Sequence, residues 1–130
     1  VRHVLDTEYL PVPGGLSGND DAGQMSAWYV FGAMGFYPVC PATPYYMIGS
    51  PAFPRVEIAT ASGRPFVIEA EGASPENIYI QSATLDGKPF DRNYLTHSDL
   101  LSGATLRLVM GPRPNALWGT QPPPEGIDLK

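Results

Sequence analysis

The chain has 130 residues, 43% of them hydrophobic, which is enough for one domain with a core and too few for a barrel-sized catalytic fold. Its formal charge is −5, and eight Lys plus Arg against thirteen Asp plus Glu give no electrostatic basis for gripping a nucleic-acid backbone. A neutral ligand is neither selected nor rejected by that balance. The single cysteine, Cys40, excludes an intramolecular disulfide and is expected as a buried thiol.

From the start of the chain, Val1, Val4, Leu5 and Tyr9 have the spacing of a helix with one buried stripe, so a first helix is expected over 1–10. His3 falls on its surface. Pro11, Pro13, Gly14 and Gly15 break it and open a loop that runs to Asp21. Asn19, Asp20 and Asp21 are good N-cap types, and Gln24 lies three residues after Asp21, the spacing of a capping box. A second helix is expected over about 24–36.

That helix is apolar on nearly every side, through Met25, Trp28, Tyr29, Val30, Phe31, Met34 and Phe36. Trp28 and Tyr29 are therefore expected as core residues rather than a sugar-stacking platform. Gly32, Ala33 and Gly35 suit close packing against neighbours, yet the chain has little with which to surround such a helix. It is expected to meet the remainder of a larger protein, or a second copy. The apolar stretch from Met25 to Tyr37 is shorter than the roughly 18 residues of a membrane span, so no span is expected. No signal-peptide pattern is visible.

After Pro38 the prolines at 41, 44, 51 and 54 exclude a long helix, and the remainder is expected to be β. Strands are expected over 55–60, 66–71, 78–85 and 105–110, with Leu106, Leu108 and Met110 on one face of the last. Asp86-Gly87 signals a type I′ hairpin that returns 88–90 onto 78–85. Glu69, Glu71 and Glu76 are expected on solvated faces, His97 in a hydrogen-bonded turn, Trp118 as an anchor of the tail, and 121–125 as an extended end. The fold class expected is α+β: one or two helices followed by a small antiparallel β-sheet or sandwich, divided into 1–40 and a β-rich 41–130.

Chemistry concentrates in Gly18-Asn19-Asp20-Asp21-Ala22-Gly23-Gln24, where two carboxylates, amides and glycines meet a helix N-terminus. A carboxylate there stays ionised and can take a proton from water or bind a hard cation. Two neighbouring carboxylates also repel, which can leave one the better base. By spacing alone, Asp21 is more often an N-cap and Asp20 a solvated loop acid than catalytic groups, so spacing does not by itself assign a glycosidase.

The run Gly15-Leu16-Ser17-Gly18-Asn19-Asp20-Asp21-Ala22-Gly23-Gln24-Met25-Ser26-Ala27-Trp28-Tyr29-Val30-Phe31, with Gly35-Phe36-Tyr37-Pro38-Val39-Cys40-Pro41 and Ile48-Gly49-Ser50-Pro51, resembles the end of the catalytic barrel of glycoside hydrolase family 92. The resemblance continues through Tyr79 to Pro89, His97 to Leu100, Met110-Gly111-Pro112 and Trp118-Gly119, so it covers nearly the whole chain.

What the resemblance implies is a bacterial, calcium-dependent, inverting exo-alpha-mannosidase that removes terminal mannose from glycans. Residues 1–40 would be the end of its (α/α) barrel and 41–130 a C-terminal β-rich region. Asp20 and Asp21 match the family's base region; Asp21 is the favoured candidate base because its place at a helix start would fix its direction, with Asp20 close behind, and Asn19 is the candidate substrate-binding residue. The family's general acid is a glutamate from an earlier barrel segment that no part of this chain matches, so the isolated chain is expected to be inactive. Calcium would belong to the complete enzyme, with ligands not assigned here, and a periplasmic, cell-surface or secreted location would follow. The alternative is a carbohydrate-binding or purely structural β module, its acids holding a structural calcium.

Overall fold

The computed structural model describes residues 1–40 and 42–124; Pro41 and the end of the tail from Glu125 lie outside the described residues. Helix α1 (Arg2–Thr7) buries Leu5 and leaves His3 in solvent. Helix α2 (Gln24–Met34) stops at Gly35, whose positive φ of 98° closes the last turn. The close approach of Pro51 leaves no room there for a side chain, since a Cβ on Gly35 would lie 2.6 Å from the proline ring.

Eight strands follow: β1 (Phe36–Tyr37), β2 (Tyr45–Ile48), β3 (Arg55–Ile58), β4 (Phe66–Glu71), β5 (Tyr79–Leu85), β6 (Lys88–Pro89), β7 (Tyr94–Thr96) and β8 (Thr105–Gly111). Helix α3 (His97–Leu101) sits between the last two. They form a three-stranded sheet, β1-β2-β7, and a five-stranded sheet, β3-β4-β8-β5-β6. The four strands expected from alternating apolar residues are all present. Asp86 and Gly87 both take positive φ, 48° and 78°, as a type I′ hairpin requires, and β6 pairs back on β5 at Thr84 and Leu85.

The larger sheet is mixed, not antiparallel as expected. β8 lies parallel to β4, with Val67 opposite Thr105 and Glu71 opposite Val109, and antiparallel to β5. The cause is the connection: after the β5-β6 hairpin the chain crosses into the smaller sheet at β7, turns through α3, and re-enters between β4 and β5 from the other end.

One hydrophobic cluster takes side chains from both sheets: Phe66, Ile68, Leu106, Leu108 and Met110 from the larger, Phe36 and Leu95 from the smaller. Phe31 and Met34 of α2 pack against it, which ties the helix to the β region. On the outer face Glu69 on β4 lies between Arg55 on β3 and Arg107 on β8 and bonds both, at 2.6 and 3.0 Å. Trp118 anchors the tail as expected, donating its indole N–H to the Phe90 carbonyl at 2.9 Å.

Two burial expectations are overturned. Cys40 is exposed, because it sits in the turn between β1 and β2 rather than inside the sheet. Tyr29 is also exposed, at 38%, and Val30 at 53%, because the helix rests on the β region through one side only. Trp28 is half-buried.

Candidate active site

The loop from Leu10 to Gly23 is closed by backbone bonds before it reaches the carboxylates. Leu10 N–H donates to Gly15 O at 2.8 Å and Gly15 N–H to Val12 O at 2.9 Å, while Tyr9 and Leu16 form a bridge. Gly15 cannot be anything larger, since a Cβ would sit 2.0 Å from the Leu10 carbonyl oxygen. The chain then climbs to a short 3₁₀ turn, Asp21–Gly23, that leads into α2.

The expected capping box does not form. Ala22 and Gly23 both adopt left-handed backbone, φ 52° and 80°, so α2 begins only at Gln24 and Asp21 is not its cap. Asp20 reaches over instead. Its Oδ1 accepts the N–H groups of Met25 at 2.9 Å and Ser26 at 3.2 Å, and its Oδ2 accepts the Ser26 hydroxyl at 2.5 Å. These are free donors of the first helical turn, which have no carbonyl four residues back. The Ser26 hydroxyl, followed by the Ser26 and Met25 amides, holds the Asp20 carboxyl below the usual carboxylate range.

Asp20 and Asn19 line an open cleft of about 550 Å³ with Leu10, Leu16, Gly18 and Ser26. A second hollow of about 490 Å³ shares Leu10, Leu16 and Ser26 and continues over Tyr9, Tyr29 and Val30. Asp21 is not among the residues that line either one. Asp21 instead opens the short 3₁₀ turn ahead of α2.

Two residues at this site carried no sequence signal of their own. One is Ser26. The other is Tyr9, whose hydroxyl donates to the Met25 carbonyl at 3.1 Å and whose ring lies 5.8 Å from Trp28 and 5.0 Å from Tyr29. Burial, then the charge of Asp20, then Tyr37 push its phenol above the ordinary value. His97, by contrast, is occupied far along the chain with the Tyr46 hydroxyl at 2.9 Å, as a structural histidine would be.

The donors present do not fit a self-contained calcium site. Among the described residues no group of three or more His, Cys, Asp or Glu side chains converges, whereas calcium takes six to eight oxygens. Both oxygens of Asp20 are already engaged by protein donors.

A sequence profile of the glycosyl hydrolase family 92 catalytic domain matches residues 1–112. Among solved structures, a family 92 inverting mannosidase from Bacteroides thetaiotaomicron superposes with a TM-score of 0.86 at 48% identity. A second family 92 alpha-mannosidase from that organism gives 0.85 at 41%. Each alignment covers 92% of this chain and 16% of the other. An uncharacterized secreted glycosidase of Arthroderma benhamiae is 37% identical over 123 residues, 89% of this chain and 16% of that protein. The chain thus spans about one sixth of the length of these relatives. It is a segment of a glycosidase catalytic domain. Specifically, it belongs to glycosyl hydrolase family 92, and its solved neighbours include mannosidases of that family.

Proposed function

We propose that the chain is part of an inverting exo-alpha-mannosidase acting on terminal mannose of glycans, and that Asp20 is the base that activates water. The observation that carries this is the Asp20 carboxylate itself, held ionised at the wall of an open cleft by three donors, within a sequence of this family. Inversion needs a base on one face of the sugar and an acid across the scissile bond, roughly 6.5–9.5 Å apart. Asp20 takes one proton from a water, whose oxygen forms the new bond at the anomeric carbon. The bond to the leaving oxygen breaks as a carboxylic acid protonates it. Asn19, on the same wall, would hold a sugar hydroxyl, and the neighbouring Asp21 would keep the local potential negative.

The acid belongs to polypeptide beyond this chain, as would most ligands of the calcium proposed for the complete enzyme. That polypeptide, in preference to a second copy, would cover the exposed side of α2 and desolvate Asp20, which raises a carboxyl toward useful basicity. The division into a barrel end over 1–40 and a β-rich 41–130 belongs to the same proposal, as does export to the periplasm, cell surface or medium. A relative described as secreted supports export. Among the described residues no helix is long and apolar enough to cross a membrane.

The test is mannose release followed by proton NMR of the first-formed anomer. The complete polypeptide should release beta-mannose from an alpha-mannoside, and Asp20→Asn should lower turnover by roughly 10²–10⁴ with folding little changed, because asparagine keeps the cap while losing the proton acceptor. Asp21→Asn is the comparison. A larger loss there than at Asp20 would reassign the base. The 130 residues alone should release nothing at any calcium concentration.

A further inference from the structure

The cap on α2 is more elaborate than capping requires. A helix N-terminus is satisfied when a side-chain oxygen accepts one or two of its first amides, and Asp20 Oδ1 already does this for Met25 and Ser26. The hydroxyl of Ser26 adds a contact to the other oxygen, Oδ2. One residue thereby grips both oxygens of the carboxylate, its amide on Oδ1 and its hydroxyl on Oδ2. With contacts at one oxygen only, the carboxylate could still swing about its Cβ–Cγ bond; with both held, its plane is fixed.

Each carboxylate oxygen offers two lone pairs. Those of Oδ1 are taken by two amides, and one of the two on Oδ2 is taken by the Ser26 hydroxyl. Among the described residues a single acceptor direction is left, on Oδ2, in the carboxylate plane that the Ser26 contacts fix. Ser26 also borders both hollows, at the place where they adjoin. The other ionisable groups near Asp20 are its neighbour Asp21 and the Tyr9 phenol, whose hydroxyl is turned to the Met25 carbonyl and not to Asp20.

We infer that Ser26 is a positioning residue for the reaction: by holding both oxygens of Asp20 it aims the one free lone pair at the water to be activated. This rests on the assignment of Asp20 as the base. A group misplaced by an ångström can cost on the order of 10²-fold in rate, so the hydroxyl should matter for turnover more than for binding.

The experiment is steady-state hydrolysis of an aryl alpha-mannoside by the complete polypeptide. Ser26→Ala should lower kcat by about tenfold or more with KM within about twofold, and Ser26→Thr, which keeps a hydroxyl, should recover most of the loss. Ser26→Cys preserves the size with a much weaker donor and should behave like Ser26→Ala, so a folding defect in one variant does not decide the matter. On an Asp20→Asn background, Ser26→Ala should change the residual rate by less than about twofold, because a residue that acts through Asp20 has nothing left to position. A loss on that background as large as in the wild type would overturn the inference, as would full kcat in Ser26→Ala while Asp20→Asn is inactive; in both cases the base assignment stands. Full turnover by Asp20→Asn is a separate outcome, which removes the base assignment and the role of Ser26 together.

Discussion

At Asp20, one carboxyl connects the helix cap, the cleft and the proposed chemistry. Its pKa in the folded chain is depressed by the Ser26 and Met25 donors. A depressed carboxyl stabilises the fold above the unfolded value, about 3.9 for aspartate, and that contribution disappears as pH falls through the folded value. Carbon-13 NMR of the Asp20 carboxyl in the isolated chain should therefore show titration below the ordinary range, moving upward in Ser26→Ala; a midpoint at or above about 3.9 in the isolated chain would contradict the hydrogen bonds seen here. Ala22 gives a second prediction. Left-handed backbone costs an L-residue roughly 1–2 kcal/mol, so Ala22→Gly should raise stability by about 1 kcal/mol in urea denaturation. The Asp20 to Ser26 contact could not be read from sequence, because it exists only if both Ala22 and Gly23 turn left-handed. Glycine at 23 permits this; nothing about alanine announces it.

At the scale of elements, alternation was legible where strands are long and one-faced. β4, β5 and β8 follow directly from their apolar spacing, and Asp86-Gly87 specified its own hairpin. A Gly87→Ala variant should lose roughly 1–2 kcal/mol, since its φ of 78° is left-handed and a Cβ there meets no neighbour to compensate. β1, β2 and β7 are short, two to four residues each, and show no alternation of buried and exposed side chains that would mark them in the sequence. Helix α3 left a signal that was overlooked: Thr96 and Asp99 form the capping box that Asp21 and Gln24 only imitate. Asp99 also takes Arg92, whose guanidinium lies over Phe90 and Tyr94. The parallel partner of β4 was not legible either, since strand spacing says nothing about which edge a returning chain enters.

For the whole molecule, the unevenly covered helices matter most. Val1, Val4, Tyr29 and Val30, with Leu10 and Val12 on the joining loop, are all exposed, while the β region has a closed core. The isolated chain should therefore bind an environment-sensitive apolar dye, and Val30→Glu should reduce that binding while leaving the β-sheet circular dichroism unchanged. Within the core, Leu108 is fully buried at the centre of the larger sheet, and Leu108→Ala should cost about 2–5 kcal/mol by urea denaturation. The position of β8 also sets an order of events during synthesis. Among the described residues it is the last strand made, yet it is hydrogen-bonded on both sides, between β4 and β5. A nascent chain that has not yet released Thr105 to Gly111 from the ribosome has two open strand edges in the larger sheet and lacks Leu106, Leu108 and Met110 from the shared core, so the larger sheet cannot close. Folding of the larger sheet must wait for β8, and a chaperone that shields extended apolar segments would have its longest engagement here, just before the sheet closes.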